Sequence, residues 1–519
     1  MHLMLSKKGS GTYATASASK RVGRKVVKTD SVYLGKVIDL EKGIFESKER
    51  GIYTYNVETG EFGTADLSAV PTKSRGKRTC VADFGDIYLL DCFLKESGLY
   101  KCIDGSGCLN TDTMKALIAF SVLTKEPYSW AEDWYESSFA SVLYPKADLD
   151  GRRISEFLKQ IGEGDVHRTF FQNYLEMIIG QTPTAFMVDS TGAPNSVRMP
   201  ITGINNHNGE ISKEVRLVYV CRKSDRVPLY YRYVPGNLND ASTLERTIEE
   251  LRCYDINPDY VILDAGYCTL ENMKYLMKSS IGFITRLRPN YEIYKTIVKE
   301  HLADLTEDAR TLHNDRFIRV VSKEMSFEGA PRKVWVHLML DEDMKNNEEK
   351  SAFIRCREGK ITEEEMKKIN ASAGIFVIVS TFWIEKDQVA PTYYERGGIE
   401  QLFDTGKTNG RVSKVAVHTE EVYNGKTLID FIALTANRML QIRMNEVGEK
   451  LAKRKRKHKD AIPGRNLSVN HALYILRGQK CDIFENKTLP RECTKRMNEA
   501  YTALDFTSPK SIDLGSKLL

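Results

Sequence analysis

Tyr393-Tyr394-Glu395-Arg396-Gly397-Gly398-Ile399-Glu400, followed seven residues later by Lys407, sets an acid and two cations at the spacing Tyr-x2-Arg-x3-Glu-x6-Lys. On a helix that turns about 100° per residue, Arg396 lies about −60° from Tyr393, Glu400 about −20° and Lys407 about −40°. The four share one narrow stripe. A carboxylate there can ligate a metal ion while the cations hold phosphate oxygens, Arg396 as a planar fork and Lys407 as a point charge. The same residues also suit an ordinary solvated helix with charges at i and i+4. Gly397 and Gly398 each cost roughly 1 kcal/mol inside a helix. Gly406 is a natural C-terminal stop, so the helix is expected to end before Lys407.

Two further acids close apolar runs. Ala185-Phe186-Met187-Val188 leads to Asp189, and Tyr260-Val261-Ile262-Leu263 leads to Asp264. Short apolar runs closed by turn residues read as buried strands of a mostly parallel sheet, whose carboxyl ends collect functional groups. Either Asp alone is explained by a strand-ending turn. Both together, followed by the Glu400 stripe, point to one site.

Between them lies Val227-Pro228-Leu229-Tyr230-Tyr231-Arg232-Tyr233-Val234-Pro235-Gly236-Asn237-Leu238-Asn239-Asp240. With Asp264-Ala265-Gly266-Tyr267 and the Tyr393–Lys407 spacing, this series resembles the DDE-type insertion-sequence transposases that carry the YREK signature. The resemblance runs from about residue 180 to 445. It implies an α/β core with a ribonuclease-H-like mixed sheet, interrupted by a β-rich insertion before the catalytic Glu. It also implies Asp189, Asp264 and Glu400 as the catalytic and metal-binding triad, with Tyr393, Arg396 and Lys407 holding DNA phosphate. Three carboxylates without His or Cys favour Mg²⁺ or Mn²⁺. Two such ions would assist an in-line displacement at phosphorus. The implied partners are double-stranded DNA, as terminal inverted repeats and target, and a second copy of the chain in the DNA complex. Trp383 either stacks on a flipped base or packs in the core. A nuclease of the same fold that never joins strands, and a DNA-binding protein without catalysis, remain alternatives.

The elements that must position these residues divide the chain into seven segments. Residues 1–30 are polar and basic and read as a flexible arm. Residues 31–115 alternate and read as a small β-rich region. Residues 113–180 read as helices, with Ile154, Phe157, Leu158 and Ile161 on one face and Phe170, Phe171, Tyr174, Leu175 and Ile178 on the next. That pair suits either a DNA-binding hairpin or an αα-hairpin packed on the core. Residues 181–295 form the first half of the catalytic core, closed by a strand over 281–288. Residues 296–385 form the β-rich insertion, within the 136 residues separating Asp264 from Glu400. Residues 386–448 complete the core, and 449–519 form a basic, helical C-terminal tail. There, Lys453 to Lys459 carries six Lys or Arg in seven residues. Arg454, Lys455, Arg456 and Lys457 either contact DNA phosphates or are solvated.

Composition sets outer bounds. The 519 residues carry a net charge of +6 and 41% hydrophobic residues, enough for several domains with real cores. Mild basicity suits a DNA partner and equally a solvated surface. Ten cysteines are scattered with no C-x2-C pair, so reduced thiols are expected rather than a zinc site. No apolar run reaches 18 residues and no signal peptide stands out. These features favour a protein with no membrane partner, in the cytoplasm or nucleoid of a prokaryotic cell.

Overall fold

The computed structural model describes residues 2–8, 11–22, 25–47, 50–65, 78–179, 185–207, 210–401, 415, 417–455 and 467–514. The chain divides into two compact units.

The first unit is built on residues 1–79. Its strands β1 (His2–Lys8), β2 (Gly11–Val22), β3 (Lys25–Asp39), β4 (Ile44–Ser47), β5 (Gly51–Tyr55) and β6 (Phe62–Thr64) pair in sequence order as an antiparallel meander. Ala14, Ala16, Leu34, Phe45, Tyr53 and Tyr55 form its core, and the Tyr53 hydroxyl donates to the Leu34 carbonyl at 2.7 Å. The flexible arm expected over 1–30 is therefore corrected to strands. Among the described residues its buried positions are Ala14, Ala16 and Ser17, side chains too small to mark a strand by hydrophobicity. Gly35 has φ +84°, and a Cβ there would strike the Glu46 carbonyl, so the close β3–β4 approach requires glycine. The β-rich reading of 31–115 also ends early, because β7 (Arg78–Asp83) is followed by the helices Gly85–Glu96, Leu99–Asp104 and Thr111–Leu123. Ile87, Leu90 and Leu94 recur at helical spacing and are buried.

The second unit contains a ten-stranded sheet ordered β11-β10-β8-β12-β13-β17-β16-β15-β14, with β9 added on β10. Its strands are β8 (Ala185–Pro194), β9 (Gly203–His207), β10 (Glu210–Arg222), β11 (Pro228–Pro235), β12 (Tyr260–Leu263), β13 (Gly282–Arg286), β14 (Arg310–His313), β15 (Arg316–Met325), β16 (Val334–Asp341) and β17 (Ile375–Ser380). Only β8–β12 and β12–β13 are parallel, so the sheet is mixed rather than mostly parallel. β13 does not close it. β17 pairs antiparallel with β13 through Ile284 and Ser380, and β16, β15 and β14 follow. The strands of the insertion thus extend the core sheet.

Two polar helices, Glu342–Arg357 and Glu363–Ser372, join β16 to β17. The first was not legible in the sequence, because only Ala352 is buried along it. Its start is fixed instead by Asp341, whose side chain accepts the Met344 amide hydrogen.

Gly151–Gly162 and Asp165–Ile179 are helices with the expected buried faces. The first crosses the 36-residue helix Glu420–Lys455. A Cβ on Gly162 would collide with the Glu421 carbonyl, and one on Gly425 with the Leu158 carbonyl. The C-terminal segment is folded rather than a tail. Helices Val469–Arg477 and Lys495–Ala503 flank a hairpin of β18 (Lys480–Phe484) and β19 (Lys487–Pro490). Tyr501 donates to Gln479 Oε1 at 2.8 Å, and Phe84 donates its amide to the Gln479 carbonyl at 2.9 Å. All ten cysteines are unpaired. Among the described residues no helix is long and apolar enough to cross a membrane.

Candidate active site

β8 and β12 run parallel with Val188 opposite Leu263. Asp189 and Asp264 are the next residues on each chain, so the pairing sets the two carboxylates side by side. β12 ends there. β8 continues to Pro194 on its pairing with β10, where Asp189 faces Tyr219. Asp189 is therefore a mid-strand residue, not a strand end as expected. It is 8% exposed, and Oδ1 accepts the Ser190 amide hydrogen at 2.8 Å. Burial raises its pKa to about 6; Arg396 and the Ser190 amide pull it down, while Asp264 and Glu400 push it up.

The third acid arrives on a broken helix. Lys386–Tyr394 is helical, Glu395 and Arg396 form a turn, and helix resumes over 397–401. Across the break the hydrogen bonds span three residues: Arg396 to Tyr393 at 3.2 Å, Gly398 to Glu395 at 3.0 Å and Ile399 to Arg396 at 2.9 Å. The expected uninterrupted stripe is thus rewound at Arg396. An ion pair between Lys223 and Glu395 at 2.9 Å fixes the turn.

Arg396 gathers the acids. Its Nη1 lies 3.2 Å from Asp189 Oδ2, and its Nη2 lies 3.5 Å from Asp264 Oδ1 and 3.0 Å from Glu400 Oε1. Burial works against its charge, but Asp264, Tyr393, Asp189 and Glu400 together outweigh that and hold its pKa up. Tyr393 is buried beside it, with the guanidinium carbon 5.9 Å from the ring centre. Burial raises the Tyr393 phenol to about 12. Lys407, Arg456 and Lys457 lie outside the described residues. Arg454 and Lys455 fall in the last turn of helix Glu420–Lys455. Trp383 is 45% exposed rather than core; it meets Trp335 edge-on at 4.5 Å and donates to Glu385 Oε1 at 2.9 Å.

A fourth carboxylate, Asp240, closes the Val227–Asp240 motif. Asp240 Oδ1 accepts from Ser190 Oγ at 2.5 Å and from Arg216 Nη1 at 2.7 Å. Gly266 makes room for it, since a Cβ there would lie 2.7 Å from Asp240 Oδ2. Arg288 steadies the loop after Asp264, donating to the carbonyls of Ala265 at 2.9 Å and Gly266 at 2.8 Å. Asp240 ends the turn-rich run Pro235–Asp240, which was the available signal. Arg288 gave none.

Among the described residues no group of three or more His, Cys, Asp or Glu side chains is placed to hold a metal ion. The donor set nevertheless suits one. Its atoms are all carboxylate oxygens, the preference of Mg²⁺ and Mn²⁺. Asp264 and Glu400 raise the pKa of Asp189, a repulsion that a cation relieves.

Residues 181–435 match the family model described as "Transposase DDE domain". Among solved structures, the chain is similar to a piggyBac transposase synaptic complex with hairpin DNA, at 12% identity and a TM-score of 0.36, over 68% of this chain and 75% of that one. No curated protein matches the sequence.

Proposed function

We propose that this chain, whose residues 181–435 belong to the transposase DDE-domain family, binds the ends of its own insertion sequence, cleaves them and joins the 3′-hydroxyl ends to target DNA. One observation carries the reading: Asp189, Asp264 and Glu400, far apart in sequence, converge on a single guanidinium. The strand order β11-β10-β8-β12-β13, antiparallel and then parallel, supports a ribonuclease-H-like core.

In this reading Asp189, Asp264 and Glu400 would hold two Mg²⁺ or Mn²⁺ ions, which would supply Lewis-acid assistance to phosphoryl transfer. The protein's own contribution is placement. The parallel register aligns Asp189 with Asp264, Asp240 holds Ser190 next to Asp189 on its strand, Arg288 braces the loop after Asp264, and the Lys223–Glu395 pair sets the turn that delivers Glu400. With metal and DNA bound, Arg396 would be free to turn from the acids to DNA phosphate. Lys407, Tyr393 and the cations Arg454 to Lys457 complete the phosphate contacts, and two copies of the chain bring two ends together.

The test is incubation of purified protein with cleaved-end DNA, a target plasmid and Mg²⁺. Strand-transfer products are expected. Nicks alone would assign a nuclease, and mobility shifts without cleavage would assign a non-catalytic DNA-binding protein.

A further inference from the structure

A cavity of about 270 Å³ opens beside the Glu400 segment, with Gly398, Gln401, Asn437, Arg438 and Asn470 in its walls. Gly398 and Gln401 bracket Glu400 itself. Arg438, on helix Glu420–Lys455, donates from Nε to the Asp225 carbonyl at 2.8 Å. Arg226 lies against Gly398, so close that a Cβ there would strike its Nε. Its Nη1 is 3.5 Å from Gln401 Oε1.

Neither guanidinium forms an ion pair among the described residues, although the neighbouring Lys223, Arg232 and Arg443 all do. Burial and the charge of Arg226 both push the pKa of Arg438 down. The nearby Asp225 pulls the other way but is itself paired with Arg222, and part-buried like charges that share no dedicated counter-ion are costly. Asn437 adds a buried side-chain oxygen with no hydrogen-bond partner, on an amide whose two ends are interchangeable.

The backbone also bears a cost to deliver Arg226. Its φ is +61°, a left-handed conformation that costs an L-residue roughly 1–2 kcal/mol. The turn is closed by bonds from Arg226 N–H to the Arg222 carbonyl at 2.8 Å and from Arg222 N–H to the Val227 carbonyl at 2.9 Å. Strain of this kind persists where the surroundings over-determine it, and it concentrates at functional sites. Gly398, unfavourable for a helix, is the residue that lets Arg226 lie flat on the Glu400 segment.

We propose that the cavity walled by Arg438 and Asn437, with Arg226 at its Gly398–Gln401 edge, is an anion subsite that takes a phosphodiester of the bound DNA, adjacent to the carboxylate cluster and separate from it. This rests on the reading of the chain as a DNA-acting enzyme. Two forked donors and a turnable amide match the oxygens of one phosphate. Because Gly398 and Gln401 flank Glu400, a phosphate held here belongs to the DNA whose reacting phosphorus lies at the acids.

Arg226→Gly and Arg438→Gln test the subsite. Glycine accepts the left-handed turn without strain, so Arg226→Gly removes a guanidinium and leaves the local fold. Binding of a cleaved-end duplex and of a random duplex of equal length is measured over a salt series, with melting temperature as the folding control. Each variant is expected to weaken both complexes by roughly tenfold, the value of one charge-assisted hydrogen bond. Each should also flatten the salt slope by roughly 0.9. In the wild-type protein, DNA should protect Arg226 and Arg438 from phenylglyoxal. Wild-type affinity and slope in both variants would overturn the subsite alone. A wild-type protein that binds no DNA would overturn the subsite and the proposed function together.

Discussion

Arg396 donates to Asp189 at 3.2 Å across 207 residues of sequence, while the same guanidinium reaches Glu400 one helical turn away at 3.0 Å. The protein's own cation therefore neutralises the acids that a metal ion would need. Arg396→Ala should raise Mn²⁺ affinity in the absence of DNA by roughly tenfold, the value of one charge-assisted interaction. Titration calorimetry reads this directly. If Arg396 acts only on DNA phosphate, the variant will bind Mn²⁺ like the wild type, and the competition argued here is wrong.

Asp189→Asn, Asp264→Asn and Glu400→Gln remove one charge each at nearly constant volume. Each should abolish cleavage and strand transfer while leaving end binding in a mobility-shift assay intact. Normal Mg²⁺-dependent cleavage by any one of them would remove that residue from the triad.

Two glycines in helix Glu420–Lys455 should respond to alanine with opposite signs. Gly425 has no room, because its Cβ would meet the Leu158 carbonyl of a crossing helix. Gly425→Ala should cost about 1–3 kcal/mol or more, since backbone cannot rotate aside. Gly448 has nothing within 4 Å. Gly448→Ala should stabilise by about 0.5–1 kcal/mol through reduced backbone entropy. Equal melting shifts for the two variants would contradict the crossing.

His337 is fully buried on β16, with Nδ1 2.8 Å from Ser322 Oγ and Nε2 3.1 Å from Ser380 Oγ. Burial lowers its pKa to about 4. A folded pKa below the unfolded value means the unfolded chain binds the proton first. Its contribution is present above about pH 6.5 and is lost as pH falls toward 4. The loss amounts to about 3 kcal/mol at 1.36 kcal/mol per unit. Denaturant unfolding from pH 7 to 4 should show a shallower acid loss in His337→Gln than in the wild type. Parallel curves would show that His337 does not titrate in this window.

The sequence by itself determined the strands around Asp189 and Asp264, because apolar runs closed by an acid and turn residues leave few other structures. It also determined the amphipathic helices, where Ile154, Phe157, Leu158 and Ile161 recur with the helical period, and it singled out the three acids as candidates, because their motifs are local in the chain. The first thirty residues were illegible as strands, since Ala14 and Ala16 bury too little area to show a period. The helix Glu342–Arg357 was illegible because it lacks an apolar stripe. Only the tertiary structure decided that the insertion strands continue the core sheet, since strand neighbours are chosen by pairing rather than composition. It alone placed Arg396 among the acids and brought Arg226 and Arg438 to the same Gly398–Gln401 segment. Those contacts join residues far apart in sequence, and charge pairing at that range depends on how the chain is brought back on itself, which local spacing does not encode.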